Sequence, residues 1–140
     1  MDKEKVLFLC TGNSARSQMA EAFLKKYAGD RFEAYSAGIR PKGIVPYTIR
    51  VMEEVGISLE GQGSKGVDEY IGRIDFDHLI TVCANAEKQC PAFPEAGERI
   101  HWDLEDPAGL VGTEEEKLQK YREVRDLIDE HIKEWLSTQD

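Results

Sequence analysis

The sequence is organised around Val6-Leu7-Phe8-Leu9-Cys10-Thr11-Gly12-Asn13-Ser14-Ala15-Arg16-Ser17. An apolar run typical of a buried strand stops at Cys10, and a short loop of small, mostly polar residues leads from it into a helix. A parallel strand that feeds a loop and then a helix directs the loop's backbone N–H groups, and the N-terminus of the helix, at one point. The stretch therefore predicts a buried strand that ends at an oxyanion-binding loop.

The residue types of this loop suit nucleophilic chemistry on an oxyanion. Gly12 and Asn13 tolerate positive φ, which lets the backbone curl, and the planar guanidinium of Arg16 matches phosphate-like oxygens. We expect the positive field to lower the pKa of Cys10 and to hold it as a nucleophilic thiolate, with the Ser17 hydroxyl donating to its sulfur. The alternative is a buried strand-end cysteine near an unrelated surface arginine. The expected oxyanion-binding residues are Thr11, Gly12, Asn13, Ser14, Ala15, Arg16 and Ser17.

Composition restricts the function classes. The chain has 140 residues and is 41% hydrophobic, from which we expect one domain over residues 1–140. A net charge of −9 argues against nucleic-acid or anionic-membrane partners, so an anionic substrate needs a local positive site. The three cysteines, and an N-terminus that leads straight into a strand, predict thiol chemistry in the cytoplasm and not a disulfide framework. Nothing in the sequence requires more than a monomer.

The order of elements predicts an α/β fold. Apolar runs predict strands over 5–10, 32–37, 75–83 and 98–102, and helical spacing predicts helices over 17–27 and 47–55 and a long last helix that opens with a capping box at 113–116. In the second helix, Ile49, Met52 and Val55 are expected to face inward. Strands alternating with helices indicate a three-layer α/β/α sandwich with a parallel sheet. Ligands bind at the carboxyl ends of such strands, where Cys10, Cys83 and the loop over 103–106 all fall.

The first loop also carries a resemblance. The run Cys10-Thr11-Gly12-Asn13-Ser14-x-Arg16-Ser17-Gln18-Met19-Ala20-Glu21 resembles the signature of low-molecular-weight tyrosine phosphatases and of the thioredoxin-coupled arsenate reductases that share their fold. The resemblance implies a phosphatase I-like fold with a four-stranded parallel sheet in the order 2-1-3-4. It also implies that Cys10 and Arg16 are catalytic residues.

Asp106-Pro107 is the candidate for acid catalysis. A carboxyl group over an anion site can protonate a leaving oxygen, and proline restricts the preceding residue to extended geometry. A surface turn explains the pair equally well, with Asp103 and Glu105 as competitors. The resemblance favours Asp106, because both branches of the family carry an Asp-Pro acid on this loop.

The other two cysteines distinguish the two branches. The resemblance to the reductases implies that Cys83 and Cys90 are catalytic: Cys83 attacks the Cys10 sulfur, and Cys90 then forms a Cys83–Cys90 disulfide. A disulfide requires Cα atoms about 4.4–6.8 Å apart, whereas a helical 83–90 segment would separate them by about 10 Å. We therefore expect local rearrangement over 83–92. The alternatives are two buried packing residues or, less well supported by the spacing, zinc ligands.

The resemblance implies no bound cofactor, with thioredoxin as electron donor to the disulfide and arsenate as substrate; a glutaredoxin-type donor stays open. A phosphatase acting on aryl phosphates and a non-catalytic thiol redox sensor are the competing functions. Some family members bind potassium through residues at the positions of Asn13, Glu21 and Ser36. Here Lys65 stands nearby, and an ammonium can take the place of a cation, so we expect no metal and no potassium dependence.

Overall fold

The computed structural model describes residues 3–70, 73–83 and 97–139. Four parallel strands form one sheet in the order β2-β1-β3-β4, as predicted. The strands are β1 (Glu4–Cys10), β2 (Phe32–Gly38), β3 (His78–Thr81) and β4 (Glu98–His101). The helices are α1 (Arg16–Ala28), α2 (Pro46–Glu53) and α3 (Glu114–Ser137), with short 3₁₀ turns at Val67–Glu69 and Pro107–Gly109.

Strand β1 is the centre of the fold. It pairs with β2 on one side and with β3 on the other, and its last residue, Cys10, lies opposite Gly38. The consecutive residues Val6, Leu7, Phe8 and Leu9 are all fully buried. Because successive side chains of a strand point to opposite faces, both faces of the sheet are covered. This agrees with the predicted three-layer architecture.

Strand β3 is shorter than the predicted 75–83. The backbone N–H of Lys5 donates to the side chain of Asp77 at 2.8 Å, and the backbone N–H of Asp77 donates to the Lys5 carbonyl at 2.9 Å. The Asp77 carboxylate therefore takes the place of a ladder carbonyl, and regular pairing begins one residue later. The predicted helical turn over 84–88 lies outside the described residues.

Helix α1 begins without a capping side chain. Its N-cap is Ala15, which makes no side-chain hydrogen bond, and its first turn contains no acidic residue. The first N–H groups of a helix lack intrahelical acceptors and favour negative charge. An uncapped helix start at the end of the loop that follows Cys10 leaves these donors available to an anion.

Helix α3 follows its predicted pattern. The Glu116 N–H donates to Thr113 Oγ1, and the Thr113 N–H donates to Glu116 Oε1, both at 3.1 Å, which completes the capping box. The apolar face at helical spacing is buried, and it comprises Leu118, Tyr121, Val124, Ile128, Ile132 and Trp135. In the described part of the chain, no helix is long and apolar enough to span a membrane.

Of the three residues predicted to face inward from helix α2, Met52 does so, whereas Ile49 and Val55 do not. Ile49 and Val55 are each 38% exposed, whereas Thr48, Val51 and Met52 are buried. Thr48 Oγ1 donates to the Ser14 carbonyl at 3.3 Å, so the helix presents this polar side chain to the loop after β1. The helix also ends at Glu53, which leaves Val55 outside it.

A carboxylate joins α2 to α3. Glu54 accepts hydrogen bonds from Arg122 Nη2 and Arg125 Nη1, both at 2.8 Å, and Arg125 also donates to the Val51 carbonyl at 2.9 Å. The hydrogen bonds from Arg122, with those from Arg125, lower the pKa of Glu54 to about 2. A carboxyl group whose pKa is lowered by folding stabilises the protein above its unfolded pKa, and this contribution is lost as the pH falls towards the folded value.

We expect Glu54→Gln to lower the free energy of unfolding at pH 7 by roughly 1 kcal/mol, a modest value because the Glu54 side chain is 33% exposed. The difference from wild type should narrow as the pH falls from about 4.5 towards 2. Urea unfolding at pH 7 and at about pH 3 measures both values. Glu130→Gln, an exposed change on α3, is the control, and an equal deficit at both pH values would contradict the assignment.

Candidate active site

The loop after β1 closes around the sulfur of Cys10. The Asn13 N–H donates to Cys10 Sγ at 3.1 Å, and Ser17 Oγ lies 2.8 Å from the same sulfur. The thiol lies at the base of a cavity of about 200 Å³. The lining residues come from the loop (Cys10, Thr11, Gly12, Ser14, Ala15, Arg16), from the segment after β2 (Lys42, Gly43, Val45) and from the Asp-Pro loop (Asp106, Ala108).

Asn13 holds the loop in its curled form. It is fully buried and has φ of 48°, the one positive value among the described non-glycine residues. Its side chain donates to Ser17 Oγ at 2.9 Å and accepts from the Lys65 N–H at 2.7 Å. Because the Asn13 amide already donates to Ser17 Oγ, the hydroxyl hydrogen of Ser17 is available to Cys10 Sγ. Both Gly12 and Asn13 were candidates for positive φ in this loop. The φ of Gly12 is not positive, so Asn13 is the residue that adopts the left-handed conformation.

The pKa of Cys10 is shifted in the opposite direction to the one predicted from the sequence. Burial raises it above the ordinary thiol value, although the hydrogen bonds from Ser17 and Asn13 and the charge of Arg16 act to lower it. The predicted positive field is present, but desolvation outweighs it because only 2% of Cys10 is exposed. The thiolate therefore depends on every donor that faces the sulfur.

We expect alkylation of Cys10 by iodoacetamide to be still accelerating at pH 9, the ordinary thiol pKa. Ser17→Ala should move the profile to higher pH, because it removes a hydrogen bond that lowers the pKa. Mass spectrometry of the Cys10 peptide follows the reaction. Ser137→Ala at the end of α3 is the control. A profile for Ser17→Ala at lower pH than wild type would contradict this account.

Arg16 connects the anion loop to the predicted acid. Its Nη1 donates to the Leu104 carbonyl at 2.9 Å, and its Nη2 lies 3.7 Å from Asp106 Oδ2. Asp106 is extended, with φ −78° and ψ 113°, and accepts from the Ala108 N–H at 3.0 Å. Among the three candidate carboxylates, Asp106 lines the cavity, whereas Glu105 pairs with Lys120 at 2.5 Å.

The second thiol lies beside the anion loop. Cys83 is buried just beyond β3, and its sulfur lies 3.3 Å from Thr11 Oγ1. No disulfide joins Cys10 to Cys83. Cys90 and the expected rearrangement over 83–92 lie outside the described residues, apart from Cys83 itself.

The residues at the positions of the potassium ligands of some family members form a polar network beside the loop. The Ser36 hydroxyl donates to Glu21 Oε1 at 2.5 Å, and the Lys65 ammonium lies 3.9 Å from the same oxygen while donating to the Gly63 carbonyl. Burial lowers the pKa of Lys65. The ammonium thus occupies the neighbourhood predicted for it, and independence from potassium stays a prediction. Within the described ranges, no cluster of three His, Cys, Asp or Glu residues is arranged to hold a metal.

Gly38 marks the closest approach of β2 to the anion loop. A Cβ at this position would lie 2.7 Å from Asn13 N and 2.7 Å from the Thr11 carbonyl oxygen. Both are backbone atoms of the loop, so they cannot move aside as a flexible side chain would. A residue without a side chain is therefore required here.

We expect Gly38→Ala to displace the loop, to lower stability by roughly 1–3 kcal/mol and to reduce the alkylation rate of Cys10. Thermal unfolding and the iodoacetamide assay measure the two effects. Gly63→Ala is the matched control, because a Cβ there meets nothing within 4 Å. Equal losses in the two variants would show that the close approach is unimportant.

Fold and site together define a class of protein. The sequence profile of the low molecular weight phosphotyrosine protein phosphatases matches residues 5–140, and the chain belongs to this family. The resemblance inferred from the loop motif is confirmed.

Arsenate reductases are among the proteins that the chain resembles. The chain is 45% identical over 138 residues to the arsenate reductase of Halalkalibacterium halodurans, with 99% of each chain covered. A solved arsenate reductase in its phosphate-binding state matches with a TM-score of 0.83 and 31% identity, over 98% of this chain and 99% of that one. The thioredoxin-dependent arsenate reductase of Corynebacterium glutamicum matches with a TM-score of 0.73 and 29% identity, over 97% of this chain and 61% of that one.

The sequence did not predict that Lys42, Gly43 and Val45 line the cavity around Cys10. The segment is an irregular connection between β2 and α2, and no motif marks it. Its position follows from hydrogen bonds with the anion loop, which are tertiary contacts between residues about thirty positions apart.

Proposed function

We propose that the protein reduces arsenate to arsenite through Cys10, Cys83 and Cys90, with thioredoxin as the electron donor, and that it serves arsenic detoxification in the cytoplasm. The observation that carries this proposal is the second buried thiol beside the anion loop, 3.3 Å from Thr11 Oγ1. Hydrolysis of a phosphate ester needs one thiol, whereas a two-electron reduction needs a pair of sulfurs to oxidise. The identity with known arsenate reductases supports the same conclusion.

The first step is a displacement at arsenic. The Cys10 thiolate attacks, an S–As bond forms and an As–O bond breaks. Asp106 protonates the departing hydroxyl, which leaves as water. Arg16 and the loop N–H groups hold the remaining oxygens and offset the charge that develops on them. The exposed carboxyl of Asp106 and the buried guanidinium of Arg16 already share the cavity.

The second step transfers two electrons to arsenic. The Cys83 thiolate attacks Cys10 Sγ, an S–S bond forms and the S–As bond breaks. The bonding pair stays on arsenic, which leaves as arsenite. In the third step Cys90 attacks Cys83 Sγ and releases the Cys10 thiolate. The resulting Cys83–Cys90 disulfide is returned to two thiols by exchange with reduced thioredoxin.

A low-molecular-weight phosphatase is the second candidate. Cys10, Arg16 and Asp106 lie around one cavity, and these residues also suffice for hydrolysis through a cysteinyl phosphate. Ala108, the residue after Asp106-Pro107, lines this cavity. Its methyl group offers an aromatic substrate no ring to stack on, which favours a small inorganic oxyanion.

The deciding measurement is arsenate-dependent NADPH consumption with thioredoxin and thioredoxin reductase. We expect turnover in the wild type and its loss in Cys83→Ser and in Cys90→Ser, because each variant removes one sulfur of the relay. Hydrolysis of an aryl phosphate, which needs only Cys10, controls for folding of both variants. No arsenate turnover in the wild type, with aryl phosphate hydrolysis kept by both variants, would identify the protein as a phosphatase.

A further inference from the structure

We propose that Lys42 is a second cation of the oxyanion site, which captures the doubly charged substrate and sets its binding strength. The proposal rests on the proposed function for the identity of the substrate, but its geometry is independent of the redox steps. Lys42 lines the same cavity as Cys10 and Arg16.

The backbone around Lys42 is attached to the rim of the anion loop. The N–H groups of Arg40, Lys42 and Val45 donate to the carbonyls of Thr11, Gly12 and Ser14 at 2.8, 3.0 and 3.0 Å. These hydrogen bonds do not involve the lysine side chain. A substitution at residue 42 therefore leaves the segment in position and changes only what the side chain presents to the cavity.

The Lys42 side chain runs along the loop. Its Cδ lies 3.7 Å from the point that a Cβ on Gly12 would occupy, so the aliphatic stem passes close to this glycine. The residue is exposed and lines the cavity. A flexible stem that ends in a point charge can follow an oxyanion as it enters.

Of the two cations that line the described cavity, Arg16 already has partners in the protein, whereas the Lys42 ammonium can pair with a ligand. Arg16 is engaged with the Leu104 carbonyl and the Asp106 carboxylate. The other basic side chain among the described lining residues is Lys42, which has no carboxylate partner within 4 Å in residues 3–70, 73–83 and 97–139. A dianion entering a protein of net charge −9 is repelled at long range, and Asp106 partly neutralises Arg16, so a further cation beside the loop N–H groups strengthens its capture.

The charge of Lys42 acts on binding more than on chemistry. Reaction occurs at Cys10, whose sulfur is contacted by Asn13 and Ser17, while the lysine meets the ligand at the rim. Loss of a cation that contacts substrate and transition state equally raises KM and leaves kcat nearly unchanged. Inorganic phosphate has the same shape and charge as arsenate, so its binding should weaken by the same factor.

The test compares Lys42→Gln and Lys42→Arg with the control Lys26→Gln. Lys26 is exposed on α1 and does not line the cavity, and its replacement by Gln changes the net charge by the same amount as Lys42→Gln does. We expect Lys42→Gln to raise the KM for arsenate about tenfold, equivalent to about 1.4 kcal/mol, with kcat within about twofold of wild type. Lys42→Arg should restore most of the affinity. Raising the ionic strength should weaken the wild type more than Lys42→Gln.

Protection of Cys10 from iodoacetamide by inorganic phosphate measures binding without turnover. We expect about tenfold more phosphate to be needed for Lys42→Gln and no change for Lys26→Gln. Unchanged protection in Lys42→Gln, or an equal loss in Lys26→Gln, would overturn the proposal. If the wild type does not turn over arsenate, the proposed reductase activity fails, and the protection assay still decides the role of Lys42.

Discussion

The left-handed backbone of Asn13 is the constraint on which the site depends. Its N–H reaches the Cys10 sulfur, its amide donates to Ser17 Oγ, and its side-chain oxygen accepts from the Lys65 backbone. An asparagine in this conformation is strained by a modest amount, and its own buried hydrogen bonds hold it there. One residue thereby fixes the curl of the loop and the direction of the Ser17 hydroxyl.

Burial and charge oppose each other at the nucleophile. The sheet is stable because β1 is covered on both faces, and the same coverage desolvates Cys10 and raises its pKa. Ser17, Asn13 and Arg16 counteract this rise from inside the cavity. Arg16 also joins the loop to Asp106 and the Leu104 carbonyl, so the groups that stabilise the sulfur and the group that donates a proton are parts of one connected arrangement.

Sequence reasoning succeeded where local patterns are strong. The long apolar face of α3 repeats over many turns, and the Thr113–Glu116 capping box has a distinct spacing, so both were predicted correctly. For the short helix α2, the prediction was correct for Met52 and wrong for Ile49 and Val55. Eight residues allow more than one apolar face, and the choice was made by Arg125 donating to the Val51 carbonyl and by Thr48 donating to Ser14. These contacts come from residues distant in the sequence.

The sequence by itself determined the chemical groups of the site: Cys10 at a strand end, Arg16 six residues later, and an Asp-Pro pair on a later loop. Short-range spacing encodes these, because the backbone between Cys10 and Arg16 admits few conformations that point both inward. Only the tertiary structure brought Cys83 to Thr11 across 72 positions, set Lys42 beside the loop and decided the direction of the Cys10 pKa. The first two are contacts between residues distant in the sequence, and the third depends on desolvation and charge summed over residues that folding alone makes neighbours.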